Sequence, residues 1–281
     1  MKLVKTIKEI RKIVSEWKKE GLTIGFVPTM GYLHEGHQSL IKNALENDKV
    51  IVSIFVNPIQ FGPGEDFATY PRDIDRDMEK CSEAGADLIF APLPEEMYLN
   101  DFSTFVDMTG PTDDLCGKAR PGHFKGVCTV VNKLFNIVAP DKAYFGEKDA
   151  QQLAVIKRMV RDLNINIKII GCPIIREKDG LAKSSRNTYL SVEERKAALV
   201  INKALTSGKN MIQNGEKNPD KIVSAITSVI NEEPLAKIDY IKIVDADTIS
   251  AVSEINGNIL VAAAVYIGKT RLIDNFITGE N

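Results

Sequence analysis

The chain lacks most of the features that settle a protein's class at once. Its 281 residues include one tryptophan, three histidines and four cysteines. Cys81, Cys116, Cys128 and Cys172 stand far apart with no C-x-x-C pair, which removes zinc and thiol-exchange readings and leaves reduced, semi-buried thiols as the expectation. Charge of either sign is not in excess: 36 Lys and Arg against 38 Asp and Glu give a formal net charge of −2. The broad cationic surface that nucleic acid demands is therefore missing. No apolar run approaches the roughly 20 residues that cross a bilayer. The opening MKLVKTIKEIRKIVSEWKKE carries polar residues where a signal peptide needs an apolar block, so no membrane association and a cytoplasmic location are expected. The G-x-x-x-x-G-K-[ST] phosphate loop and the G-x-G-x-x-G fingerprint are also absent, so a nucleotide has to be gripped by other means.

What is present is an ordinary globular composition, 44% hydrophobic and 26% charged. The length exceeds the usual range of about 100–200 residues for one domain, which favours two. Leu3, Ile7, Ile10, Val14 and Trp17 recur at helical spacing up to Gly21 and predict an amphipathic first helix. LTIGFVP reads as a strand, TMGYLHEGH as a loop, SLIKNALEN as a helix and KVIVSIFV as a central parallel strand, together a βαβ unit. Alternation continues with a helix near 72–84, strands DLIFAP and STFVDM, a helix near 126–137, strand KAYF, a helix near 150–162 and strand INIKII. The pattern predicts an α/β fold, a Rossmann-like doubly wound parallel sheet, over residues 1–174. From residue 175 helices near 192–213 and 219–231 come together, and strands IDYIKIVD, ILVAAAVYIG and TRLIDNF follow in series. This predicts a smaller α+β domain over 175–281, joined without a long linker.

The chemistry concentrates where strands pass into helices, the edge at which open α/β sheets bind ligands. His34 and His37 fall three residues apart at the start of a predicted helix, beside amides that favour phosphate. Taken alone, the pair is equally a solvated helix start, and H-E-G-H lacks the spacing of a zinc H-E-x-x-H motif. Asn57 and Gln60 follow a strand and offer amide groups to a small polar substrate, although Asn-Pro is also a routine turn opener. Asp73, Asp75 and Asp77 read mostly as a solvated helix face. Arg120, His123 and Lys125 surround turn residues and suit either a loop that covers an anion or a plain surface loop. Gly146 to Gln152 again joins a strand to a helix, and Lys183 to Asn187 supplies hydroxyls and a guanidinium matched to phosphate oxygens.

In order, VPTMGYLHEGH, SIFVNPIQFGPGED, YPRD, RPGHFKGV, FGEKDAQQL and SSRNTYL resemble the pantothenate synthetase family, a branch of the HxGH nucleotidyltransferases, from about Leu22 through Leu190. The resemblance implies a nucleotidyltransferase-type fold and a Mg²⁺-dependent ligase that joins pantoate to β-alanine with ATP through a pantoyl adenylate, releasing pyrophosphate and AMP. It implies ATP contacts from Met30, Gly31, Tyr32, Leu33, His34, Glu35, Gly36 and His37, then Gly146, Glu147, Lys148, Asp149, Ile175, Lys183, Ser184, Ser185 and Arg186. Gln60 and Gln152 correspond to the pantoate-binding amides, with Asn57 and Tyr70 nearby. His37 corresponds to the proton donor, with His34, Lys148 and Arg186 as its catalytic companions. Metal ligands stay unassigned, and a homodimer whose C-terminal domain closes over the site is expected. Two positions depart from the family: Lys183 stands where an apolar residue is usual, and Cys172 where valine is common. Rival readings are a cytidylyltransferase using the same histidine turn, a non-catalytic nucleotide-binding regulator and an RNA-binding module. Gln60 and Gln152 weigh against the first, intact Lys148, His37 and Arg186 against the second, and net charge against the third.

Overall fold

A computed structural model describes residues 1–279. The chain opens with β1 (Lys2–Val4) and α1 (Ile7–Lys19). Thr6 and Glu9 cap the helix reciprocally, so it starts after Thr6 and not at Leu3, which lies in an edge strand that helical periodicity concealed. Then come β2 (Ile24–Thr29), α2 (Glu35–Ala44), β3 (Lys49–Ile54), α3 (Ile74–Ala84), β4 (Leu88–Phe90), α4 (Pro94–Met97), α5 (Leu115–Ala119), α6 (His123–Val138), β5 (Lys142–Gly146), α7 (Ala150–Asp162) and β6 (Lys168–Cys172). These strands form one parallel sheet in the order β1-β4-β3-β2-β5-β6. β2 pairs with β3 on one side and β5 on the other, so the connections reverse between β2 and β5. That is a topological switch point, where the strand ends part and leave a crevice.

The segment STFVDM joins no ladder. It runs over α6, where the Val106 amide donates to Thr129 Oγ1 at 3.0 Å and Val106 and Met108 pack on the core. Its alternating pattern thus reflects contact with a helix. The expected helix near 126–137 begins earlier, at His123, and the one near 72–84 begins at Ile74, capped by Asp73.

Beyond β6 the helices α8 (Val192–Ala197), α9 (Leu199–Gln213) and α10 (Pro219–Asn231) precede an antiparallel sheet of β7 (Ala236–Asp245), β8 (Ile259–Ile267) and β9 (Thr270–Ile277), in the order β7-β8-β9. The single helix expected over 192–213 breaks at Ala198. The two faces of β8 pack differently. Val261, Ala263, Val265 and Ile267 join Ile201, Leu205, Ile222 and Ile226 in a C-terminal core, whereas Leu260 and Ala262 pack with Leu115, Ala150 and Ala154. All four cysteines are unpaired and buried, a correction to the semi-buried expectation. Burial pushes the Cys81 and Cys128 thiols up to about 12 and Cys172 to about 11. Among the described residues no helix is long and apolar enough to cross a membrane.

Candidate active site

The crevice at the switch point opens into a cavity of about 230 Å³. Met30, His34, Gly36 and His37 from the β2–α2 turn line it, with Asn57, Gln60 and Tyr70 from the β3–α3 connection. Gly146, Lys148, Asp149 and Gln152 at the β5–α7 junction, and Ile175 and Lys183 to Arg186 beyond β6, complete the wall. A second space of about 810 Å³ lies between this edge and the face of β8 and β9, sharing Arg120, His123, Lys148, Asp149, Gln152, Ser184 and Arg186 with the first. Most residues nominated from the sequence therefore converge. Gly31, Tyr32, Leu33, Glu35 and Glu147 are not in the wall: Leu33 is sealed in the core, Glu35 points outward to Lys183, and Glu147 lies against Gly171.

The two histidines are fixed by the helix they open. His34 is the N-cap of α2, and its Nδ1 accepts the Gly36 amide at 3.1 Å. His37 Nδ1 accepts the His34 amide at 3.3 Å, a reciprocal cap built from imidazoles. The ring centroids are 4.1 Å apart. Since both Nδ1 atoms accept, each neutral ring carries its proton on Nε2, the edge away from the backbone. Burial, reinforced by His37, Lys148, Lys183 and Arg76, holds His34 down to about 2. Burial also holds His37 at about 4, where Asp149 opposes the shift and Lys148 and Arg76 add to it. A Cβ on Gly36 would fall 2.8 Å from His34 Cε1, so the ring folds back only over glycine.

The amides are held as firmly. Asn57 Nδ2 donates to Gln60 Oε1 at 3.0 Å and to the Gly126 carbonyl at 3.1 Å, and Tyr98 donates to Asn57 Oδ1 at 2.7 Å. His123 sits beneath them. Arg120 only donates, so its 3.0 Å contact makes His123 Nε2 the acceptor, and Nδ1–H donates to the Gln60 carbonyl at 2.9 Å. Burial and Arg120 keep that ring neutral, at about 4. His123 thus braces Gln60 from within the cavity wall.

Two cations face carboxylates from one loop. Arg120 makes a fork to Glu65, with both bonds 2.7 Å, and Arg186 makes one to Asp66, with both bonds 2.9 Å. Ser185 Oγ donates to the Tyr32 carbonyl at 3.4 Å and links the distal loop to the histidine turn. From β9, Asn275 Nδ2 donates to the carbonyls of Glu147 and Lys148 at 3.0 and 2.8 Å, beside a fork between Asp274 and Arg176. Sequence reasoning assigned no role to Glu65, Asp66, Tyr98, Asp274 or Asn275, because each acts through a partner distant in the chain. Asp77 carried a legible signal. It lies at i, i+4 and i+7 with Cys81 and Ala84 on the buried stripe of α3, a place where a solvated acid does not belong.

The geometry agrees with known proteins over the whole chain. The pantoate-beta-alanine ligase family model matches residues 2–277. The pantothenate synthetase of Clostridium acetobutylicum is 64% identical over 277 residues, covering 98% of this chain and 99% of the relative. The crystal structure of pantothenate synthetase from Thermus thermophilus aligns with a TM-score of 0.94 at 45% identity, over 98% of this chain and 99% of that one. The structure of pantoate-beta-alanine ligase from Francisella tularensis complexed with beta-gamma ATP and beta-alanine aligns at 0.80 with 38% identity, over 100% and 99%. An agreement that runs through both sheets and nearly every residue between them establishes that this chain belongs to the pantoate-beta-alanine ligase family.

Proposed function

We propose that the chain condenses pantoate with β-alanine at the expense of ATP. A pantoate carboxylate oxygen attacks the α-phosphorus, the Pα–O bond to the β-phosphate breaks, and pyrophosphate leaves. The β-alanine amine then attacks the acyl carbon, the C–O bond to AMP breaks, and the amine loses its proton. The observation that carries this reading is the single cavity wall that sets two neutral imidazoles, each with a free Nε2–H, against a pair of amides, Gln60 and Gln152. Both nucleophiles come from substrates, so the protein's part is to orient them and to place donors where negative charge grows.

His37 and His34 donate from Nε2 to phosphate oxygens as neutral groups, which spares them the cost of burying a cation. Lys148 and Arg186 neutralise the departing pyrophosphate, Arg186 exchanging Asp66 for phosphate. Met30, Gly36, Ile175, Lys183, Ser184 and Ser185 enclose the nucleotide. Gln60, Gln152, Asn57 and Tyr70 hold pantoate. No cluster of three metal-binding side chains exists among the described residues, which suits an ion held mainly by phosphate and water. Asp149, in the wall beside Lys148, is the carboxylate that would complete its shell. Mg²⁺ bound there supplies charge neutralisation on the phosphates.

The same reading takes the unit from residue 175 onward as the part that closes over the substrates, and the enzyme as a homodimer, the commonest symmetric assembly. Four unpaired buried cysteines suit a reducing, cytoplasmic compartment. The test is pyrophosphate release from MgATP and pantoate, with and without β-alanine, in wild type and His37→Ala. Pantoate-dependent pyrophosphate, a bound adenylate without β-alanine, and a loss of about 10²–10³ in rate for the variant are expected. ATP binding with no pantoate-dependent pyrophosphate would refute the assignment.

A further inference from the structure

The phosphate-side turn between β2 and α2 is strained. Gly31 and Tyr32 both lie in the left-handed region, with φ of 86° and 51°, and for a tyrosine that conformation persists only when the surroundings impose it. What imposes it comes from α3. Asp77, 1% exposed, accepts the Tyr32 amide at 2.8 Å on one oxygen and the Leu33 amide at 2.6 Å on the other. The adjacent Arg76 guanidinium lies 4.3 Å from the Tyr32 ring centroid, so one turn of α3 grips the strained residue by backbone and by ring. Next come the His34 amide, taken by His37, and the Gly36 amide, taken by His34. Four amides of the turn, those of Tyr32, Leu33, His34 and Gly36, are thus already taken. They are spent on fixing the turn, and from this turn the two Nε2–H donors are what faces the cavity.

We infer that Asp77 is the positioning residue for adenylation: without touching substrate, its carboxylate sets the turn from which His34 and His37 address the triphosphate. The inference rests on the ATP reading of this cavity. It predicts a division between the half-reactions. Formation of the adenylate needs donors placed against the β- and γ-phosphates, while aminolysis of a finished adenylate takes place after pyrophosphate has gone. A residue that merely supported the fold would depress both.

Asp77→Asn keeps the shape and one acceptor, and turns an NH₂ group toward an amide N–H, so one bond is replaced by two opposed donors. Single-turnover adenylation is measured with MgATP and pantoate, and aminolysis with supplied pantoyl adenylate and β-alanine. Adenylation should fall about 30- to 100-fold, with aminolysis within about threefold of wild type. Equal losses in both steps, or no loss in either, would overturn the inference. If Asp77→Asn does not fold, Asp77→Ser, which retains one acceptor, is judged by the same two rates. A wild-type enzyme that releases no pantoate-dependent pyrophosphate would overturn the ATP reading and this inference together. A normal wild type with an unimpaired variant overturns the inference alone.

Discussion

Gly126 offers the sharpest test of how the proposed pantoate side is built. It lies in α6 where the helix meets the turn carrying Gln60, and an added Cβ would stand 2.4 Å from the Ile59 carbonyl oxygen, 2.5 Å from Gln60 Cα and 2.7 Å from Gln60 N. All three obstacles are backbone, so no side-chain rotation relieves the clash. An ordinary contact requires the 58–60 turn to retreat by nearly 1 Å, a misplacement that near a reacting centre costs on the order of 10²-fold. Retreat also stretches the bond from Asn57 to the Gly126 carbonyl and that from His123 to the Gln60 carbonyl. Gly126→Ala should therefore lower kcat/KM for pantoate about 10²-fold. The KM for ATP should move less, because the Gln60 turn reaches the histidine turn through one weak bond, Gln60 Nε2 to Met30 Sδ at 3.1 Å. Overpacking of this kind costs about 1–3 kcal/mol, a loss the fold can absorb. Steady-state kinetics with each substrate varied in turn, together with a melting curve, reads both quantities. A folded variant with kcat/KM for pantoate within about threefold of wild type would refute the account of Gln60 placement.

Lys183→Met removes ion pairs to Glu35 at 3.1 Å and Glu177 at 3.9 Å; the KM for ATP should change less than about tenfold with kcat nearly unchanged, and loss of most turnover at saturating ATP would contradict this. Asp274→Asn strips the charge from a buried fork to Arg176, and unfolding should show a cost of about 2 kcal/mol, or roughly 5 °C in Tm. His123 is neutral in the fold, at about 4, and takes up its proton near 6.5 when unfolded, so its contribution to stability is complete above pH 6.5 and is lost as pH falls toward 4. The slope is at most roughly 1.4 kcal/mol per pH unit, and urea midpoints across that window should flatten in His123→Asn.

The parallel sheet was legible because buried strands announce themselves: IGFVPT and KVIVSI are nearly continuous apolar runs. The cavity wall was legible for the same reason, since ligand residues follow strand ends and the strands could be placed. What escaped was short or relational. β1 is three residues long and inherits its conformation from pairing with β4, which no local window contains. The expected strand STFVDM had suitable residues and no partner strand. Arg186, His123 and Asp77 were visible as polar groups, yet whether each faced a carboxylate, a carbonyl or a backbone amide depended on chain up to 120 residues away.

The alternation along β8 has a mechanical consequence. On one face its side chains pack with α9 and α10 in the C-terminal core. On the other, Leu260 and Ala262 share a smaller buried cluster with Leu115, Ala150 and Ala154. Leu260 and Leu115 supply the bulk of that contact, and each alanine methyl adds only about 0.8 kcal/mol. β8 is thereby a shared wall: one face belongs to the C-terminal core and the other to the contact with α5 and α7. A bulky residue at position 262 would wedge that contact open while leaving the C-terminal core on the opposite face whole.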